Sequence, residues 1–598
     1  MSNSPTAAPK GALKSYSPKE RNAYMVGLLG QNMIYNIINV FVSYYLADVL
    51  RVPAGAVSAI LLIAQIWDAF NDPIMGTIVD RTRTKYGKMR PYLMVMPVII
   101  GVMTILCFSL PTYDGNADSW GKKGGVIVLA AVFYIFWGMT YTAGDIPIWG
   151  ISSLMTEDAT ARQKLQAAGR LASYIGTAAV MLGFQPLAFK VKEILMDMVA
   201  ANRGYSGFKY GEVATEAKKN VTETIVSIAT KHGWAADDYL TVSLDNEKKA
   251  FLYMAILLTV VAVITFQLVG ICCRERISPS PSRNGVIANF KTMFRNKPYR
   301  QILLSGILGG TRNLTMLVAM AIVNFYFASK DPVQVILFLG LLGGGLFGGM
   351  GVVTIFVPKL LQKYSKKTIY NLSNILEFFP NVILFLLFII MPAGLTEWYM
   401  LIPMALMFTI KGICLGLFNT LQTIMIGDAV DYEDYHNHLR PDAVFFSGQT
   451  FIVKIGSGLS SAIYFGLREL VGYSDNNVKL VQQFVDGGDD TIRGKMQGLI
   501  DKGDNFFTVI KRFFEGGAAN PSGDEVFTSL DGRLTGDQLF VFMTLLFFCV
   551  SVIPAIGNLL SVIPTWRYAL NNKEHEEILA SLQARRREEG ELAGEAAE

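Results

Sequence analysis

The sequence predicts an all-α membrane protein of about twelve spanning helices, arranged as two six-helix bundles joined by a central cytoplasmic linker. Three observations carry that prediction. Of 598 residues, 52% are hydrophobic and only 17% are charged, against about 25% charged in soluble domains. The charges gather in short blocks between apolar stretches, each close to the roughly 20 residues a spanning helix requires. A polar, basic segment at 274–300 then divides those stretches six and six, as a repeated bundle would.

The first six spans fall at about 23–47, 54–79, 92–110, 126–154, 165–189 and 251–272. The interval after them holds a Ser-Pro-Ser-Pro-Ser run and reads as a cytosolic linker. The second six fall at about 302–328, 335–357, 369–391, 398–426, 443–467 and 539–563. The chain therefore divides into a tail 1–22, a bundle 23–272, a linker 273–300, a bundle 301–566 and a tail 567–598. Two inserts, 190–248 and 472–537, exceed this plan and fall on the outer side. Mixed and charged, they read as surface decoration, or alternatively as a lid or docking segment. The stretch after Asn571 is charged and helix-prone, which reads as a solvated cytoplasmic helix.

Basic residues set the orientation. Lys10, Lys14, Lys19 and Arg21 precede the first span; Arg81, Arg83, Lys85, Lys88 and Arg90 follow the second. Arg162 and Lys164 follow the fourth, Lys359, Lys363, Lys366 and Lys367 the eighth, and Arg585, Arg586 and Arg587 lie in the tail. All fall on one side, so both termini are expected in the cytoplasm of a multi-pass cell (inner) membrane protein. The net charge of +5 adds little to this. Cys107, Cys272, Cys273, Cys414 and Cys549 lie in or beside apolar stretches without metal-like spacing, and read as reduced, small apolar residues. The polar first twenty residues and an overlong first apolar stretch do not read as a cleaved signal.

The densest chemistry lies at 67–90, WDAFNDPIMGTIVDRTRTKYGKMR. A carboxylate mid-membrane costs roughly 2.5–3.5 kcal/mol on insertion scales, so Asp68 and Asp72 need a reason. Their i, i+4 spacing stacks them on one helix face, within reach of one ligand. Two such carboxylates stay ionised together only when a cation or proton neutralises one, which is the outline of a cation site. Other charges sit inside apolar stretches: Asp145 in YTAGDIPIW, Arg170 in AAGRLASYIG and Lys454 in GQTFIVKIGSG. A structural Asp145–Arg170 pair is the plain alternative for those two. Lys454 lies too far from either end of its span to snorkel. Arg312, Glu377 and Lys411 read as structural pairs. GxxxxGK[ST], HExxH and CxxC are missing, which argues against an enzyme or an ATP-driven pump and for an ion gradient. No cofactor beyond the coupling cation, no bound metal and no nucleic acid is expected. His436 and His438, near Asp428, Asp431, Glu433 and Asp434, are better read as part of a cytosolic loop than as metal ligands.

Four segments in order carry a resemblance: WDAFNDPIMGTIVDRTRTKYGKMRPY, YTAGDIPIW, the linker RERIS…NKPYR, and GDAVDYEDYHNHLRPDAVFFSGQTFIVKIGSG. They resemble the glycoside–pentoside–hexuronide:cation symporters, the melibiose-permease branch of the major facilitator superfamily. The likeness covers the spans in register and leaves out both inserts and both tails. It implies the major facilitator fold, a monomer in the lipid bilayer, and symport of a sugar or glycoside with Na⁺ or H⁺ by alternating access. It implies a cation site of Asp68, Asp72 and Thr142. It implies sugar contacts from Asp145, Trp149 and Arg170, with Gln449 and Lys454 facing them from the second bundle. The loop Gly76-x-x-x-Asp80-Arg81 resembles the superfamily's gating loop, in which Asp80 would meet a neighbouring helix N-terminus.

One position departs from the family. Where melibiose permease has a Lys-Asp pair in its first helix, this chain has Gln31-Asn32. An amide both donates and accepts, which suits a different hydroxyl pattern or a substrate with its own carboxylate, and makes Asn32 the expected specificity position. Asn36 and Asn39 lie close to its line, partnered by the solute or by a neighbouring helix. Two other classes compete with symport: a non-transporting receptor or scaffold, for which the inserts argue, and a transporter of lipid-like or other amphipathic solutes. The set of buried charges favours symport of a sugar.

Overall fold

The computed structural model describes residues 15–113, 120–205, 207–213, 229–277, 285–326, 332–474, 477–478, 480–481, 484, 492–516, 524–529 and 532–595. The Ser-Pro run of the linker, Lys10, Lys14 and parts of both inserts lie outside the described residues. The chain forms two compact units: Met1–Lys291 with Glu433–Ser447 and Ser581–Glu598, and Thr292–Tyr432 with Gly448–Ala580.

The first unit is built on α1 (Pro18–Tyr44), α2 (Ala54–Arg81), α3 (Arg90–Cys107), α4 (Trp120–Gly150), α5 (Ala159–Asn202) and α6 (Ala236–Cys272). Local chemistry sets where they start. At α1, Ser17 and Glu20 form a capping box around Pro18, satisfying amides that a helix start leaves without partners. Asp158 accepts from Thr160 N at the start of α5. α1 packs on α5 and α6, α3 on α4 and α6, and α2 on α4. Small residues allow the approach: a Cβ on Gly176 would stand 2.4 Å from Leu29 O, and one on Gly30 2.5 Å from Ala262 O.

The second unit follows a short linker helix, α7 (Val286–Arg295). Its first span is composite: α8 (Lys297–Leu308), a 3₁₀ turn at Gly309–Arg312, α9 (Asn313–Ala321) and a π turn at Ile322–Tyr326. α10 (Pro332–Lys363), α11 (Lys366–Ile390), α12 (Leu401–Asn437) and α13 (Asp442–Leu470) come next. The last span, expected as one helix, is two: α16 (Gly536–Val550) and α17 (Val552–Thr565) break at Ser551. Before it lie α14 (Ile492–Asp501), α15 (Phe506–Gly516) and an antiparallel hairpin, β1 (Glu525–Ser529) with β2 (Gly532–Thr535). α18 (Asn572–Glu595) is the charged C-terminal helix.

Among the described residues, eleven stretches are long and apolar enough to cross a membrane. α2, 28 residues long and carrying the carboxylates, makes twelve. The outer surface is inverted relative to a soluble protein: α2 exposes Ile63, Phe70, Ile74 and Ile78, side chains that only a lipid solvent tolerates in such number.

The inserts are more integral than surface decoration. α5 is one unbroken helix of 44 residues that continues past the expected end of its span at 189, a total length of about 66 Å against a hydrocarbon core of about 30 Å. Beyond it, Met196, Ala200, Phe208, Trp234 and Tyr239 form a small separate core that ties the extended ends of α5 and α6 together. In the second insert, Ile492, Met496, Val509, Phe513 and Leu534 belong to the same buried cluster as Phe388 and Phe547 of the bundle. Arg512 bridges Asp504 and Asp537 at 2.8 and 2.6 Å, fastening α15 to the start of α16.

Candidate ion and sugar site

In the first unit, α2 and α4 meet along the face that holds both helix-two carboxylates. Asp72 is fully buried, and its Oδ1 accepts from the Thr142 hydroxyl at 2.9 Å. Asp68, one turn earlier and half-buried, packs on Gly138, where a Cβ would stand 3.0 Å from Asp68 Oδ1. Gly138 and Thr142 are one turn apart, so α4 presents a gap and then a hydroxyl to the two stacked acids. Asp68, Asp72 and Thr142 are thus brought together. A carboxylate pair with a neutral oxygen beside it is a hard-oxygen donor set, suited to Na⁺ or to a proton.

One turn on from Thr142, Asp145 belongs to a second group. Its Oδ1 accepts from Gln31 Nε2 at 2.6 Å, Trp149 Nε1 at 3.1 Å and Tyr141 OH at 3.5 Å. Gln31 also bonds Tyr141 OH. The Arg170 guanidinium of α5 stacks on the Trp149 ring at 4.0 Å, a contact worth up to about 2 kcal/mol once desolvated. Tyr141 stacks on Trp137 at 5.0 Å and leans on Tyr35 at 5.4 Å. The group offers a carboxylate, a guanidinium, an amide and aromatic faces, the inventory by which hydroxyls and the apolar side of a sugar ring are recognised.

Asn32 sits differently from Gln31. Half-buried, it donates to Leu28 O at 3.0 Å and to Gln31 Oε1 at 2.5 Å. Successive helix residues point about 100° apart, so only one of the pair faces α4, and that one is Gln31. Asn36 bonds Asn32 O and the Thr177 hydroxyl of α5 at 2.7 and 3.0 Å. Asn39 is exposed and donates to Tyr35 O. Gln31, where the sequence points to its neighbour Asn32, and Tyr141 are the further residues gathered around Asp145. The four-residue rhythm Trp137, Tyr141, Asp145, Trp149 is the signal that marks that face.

The loop after α2 is anchored as tightly. Asp80 accepts from Ala443 N at 3.2 Å and Val444 N at 2.9 Å, the first-turn amides of α13. Gly76 lies against the same turn, where a Cβ would stand 3.1 Å from Ala443 O and from Val444 Cα. The cation between Asp80 and Asp442 is Lys88: it reaches Asp80 at 2.7 Å and Asp442 at 2.9 Å. Arg81 is exposed. Burial presses Lys88 towards its neutral form, but the carboxylates of Asp442 and Asp80 outweigh it and hold its pKa above the usual lysine value. Ser153 donates to Asp442 at 2.7 Å, and Arg440 lies between Asp442 and Asp434 at 3.4 and 3.2 Å.

In the second unit, Gln449 is buried and accepts from the Thr423 hydroxyl at 3.2 Å, while Lys454 is half-buried. Arg312 pairs with Glu377 at 2.9 Å and covers the Phe418 ring, whereas Lys411 reaches Val550 O at 3.5 Å. Among the described residues, Asp428, Asp431 and His575 bring ligand atoms within 4.8 Å of one another. The Lys366 ammonium bonds Asp428 and lies 3.3 Å from His575 Nδ1, so that group already has its cation. His436 and His438 are not part of it.

Two helical units with ionisable groups buried inside spans define a secondary membrane transporter. The sequence profile of the family described as MFS/sugar transport protein matches residues 23–487. The chain is 22% identical over 463 residues to the inner membrane symporter YicJ of Escherichia coli, over 76% of this chain and 84% of that one. It is 23% identical to the isoprimeverose transporter of Lactiplantibacillus pentosus, over 80% and 86%. It is also similar to the solved E. coli fucose:proton symporter FucP, at 9% identity and a TM-score of 0.49, over 78% and 96%. The chain belongs to the MFS/sugar transport family, as a cation-coupled sugar symporter of the glycoside–pentoside–hexuronide type and not an enzyme.

Proposed function

We propose that the protein accumulates a glycoside or uronide by coupling its entry to Na⁺ or H⁺ at Asp68, Asp72 and Thr142. Asn32, Asp145, Trp149 and Arg170 bind the sugar, with Gln31 holding the Asp145 carboxylate; Gln449 and Lys454 are further substrate contacts. Gly76, Asp80 and Arg81 form the gating loop, with Lys88 as its buried cation. The protein acts as a monomer in the inner membrane with both termini cytoplasmic. The names of the relatives support the substrate class: one is an isoprimeverose transporter, another a glucuronide carrier homolog.

A single observation carries the reading. Thr142, which bonds the buried Asp72, and Asp145, which gathers Gln31 and Trp149, sit one turn apart on α4. Filling the cation site therefore shifts the helix turn that shapes the sugar site, a direct route for coupling. Uptake of radiolabelled xylosides, galactosides and glucuronides into proteoliposomes, under an imposed Na⁺ or H⁺ gradient, tests it. Accumulation under one gradient and not the other assigns the ion. Accumulation that ignores both gradients would refute coupling.

A further inference from the structure

Where α1 begins and α6 ends, the first unit carries a cleft of about 390 Å³ that sugar transport does not use. Lys19 and Glu20 stand on one wall; Ile271, Arg274 and Arg276 stand on the other. The Glu20 carboxylate is already committed. Arg276 pairs with it at 2.8 and 2.9 Å, and the Ser17 and Arg274 amides donate to it at 2.7 and 3.1 Å. Arg276 therefore cancels the one acid of the cleft. Lys19 and Arg274 are left, both exposed and neither with a carboxylate partner among the described residues.

Beside the cleft begins an apolar track. Ile271 is 57% exposed, Ile264 59% and Leu257 56%, with Val260 exposed between the last two. Their spacing of seven, four and three residues places them on one face of α6. An excess of positive charge at the head of an exposed apolar stripe, at the end of a membrane span, matches one kind of molecule. An anionic phosphate group would meet the two cations, and the chains attached to it would lie along the stripe. A free anion would use the cations and ignore the stripe; a zwitterionic lipid would bring a cation of its own to the cluster.

We propose that this cleft is a binding site for an anionic phospholipid, with its phosphate between Lys19 and Arg274 and an acyl chain along Ile271, Ile264 and Leu257. The site is separate from the sugar and cation groups and would hold α1 and α6 together at the basic face.

The test uses the purified full-length protein in mild detergent, titrated with phosphatidylglycerol, phosphatidylcholine or inorganic phosphate. Retained lipid is counted by native mass spectrometry, and Tm is followed in parallel. The wild type should retain phosphatidylglycerol and gain Tm from it, with little response to phosphatidylcholine or phosphate. The Lys19→Ala/Arg274→Ala protein should bind phosphatidylglycerol about thirtyfold more weakly, the combined worth of two interfacial cations. Lys19→Arg/Arg274→Lys should keep binding, and Ile271→Ser should weaken it. Should the alanine pair fail to fold, Lys19→Gln/Arg274→Gln carries the same comparison. Equal retention of phosphatidylcholine, an equal rise in Tm from inorganic phosphate, or wild-type retention by the neutralised pair would each overturn the proposal.

Discussion

Lys88 and Asp442 stand 354 residues apart in the sequence and 2.9 Å apart in the structure. With Asp80 at 2.7 Å on the other side, the ammonium separates two buried carboxylates. Lys88→Met would leave those acids facing each other, and losing one member of a buried ion cluster costs about 3–5 kcal/mol. The variant should unfold at a clearly lower Tm, and Asp80→Asn added to it should recover part of the loss. A wild-type Tm for Lys88→Met would show that the cluster does not hold this region.

The same group sets an alkaline limit. The Lys88 pKa is held above its ordinary value by Asp442 and Asp80 against the effect of burial. Its stabilisation is therefore fully present below the free lysine pKa, about 10.4, and is lost as the pH rises through the higher folded value. Tm measured from neutral to strongly alkaline pH should fall more steeply in the wild type than in Lys88→Met. Parallel curves would remove Lys88 from the account.

Removing charge from either helix-two acid should abolish concentrative uptake. Asp72→Asn and Asp68→Asn should fail to accumulate sugar under a gradient in proteoliposomes, while some energy-independent exchange survives. Thr142→Ala, which removes the hydroxyl beside Asp72, should raise the cation concentration needed for half-maximal uptake by about tenfold. Full gradient-driven accumulation by Asp72→Asn would disprove the coupling assignment.

Asp145→Asn should act on affinity. It weakens the acceptor that holds Gln31 and Trp149 and lowers the charge facing Arg170, which should weaken substrate binding by about 2–3 kcal/mol. Equilibrium binding of labelled sugar measures this, and unchanged affinity would end the assignment.

The first helix should govern preference among sugars. Asn32 donates to Gln31 Oε1, so Asn32→Asp would set an acceptor against an acceptor and turn the Gln31 amide away from Asp145. Asn32→Asp and Gln31→Ala should therefore reorder a panel of competing sugars in uptake assays. If every sugar is affected by the same factor, both residues serve packing alone.

Much of this architecture is legible in the sequence because spans are written in local composition. α1, α2, α3, α11 and α13 begin and end within a few residues of their apolar stretches, and the spacing of Asp68 and Asp72 puts them on one helix face, which the structure turns towards α4. What escapes is what local pattern cannot encode. The Gln31–Asp145 bond depends on which of two neighbouring amides rotates towards α4. The Lys88–Asp442 contact joins distant segments with no spacing to reveal it. The continuation of α5 past its span reads as a polar insert because hydropathy falls there while helicity does not. The break at Ser551 lies in an unbroken apolar run, which hydropathy does not distinguish from one helix.

That continuation gives the first unit a lever arm. About 20 Å of α5, residues 190–202, continues past the expected end of its span, and the cluster of Met196, Phe208 and Trp234 binds its end to that of α6. Each tilt of about 10° in the membrane moves a point about 20 Å out by about 3.5 Å. A spectroscopic label on that tip would register conformational cycling far more loudly than one placed beside the sugar.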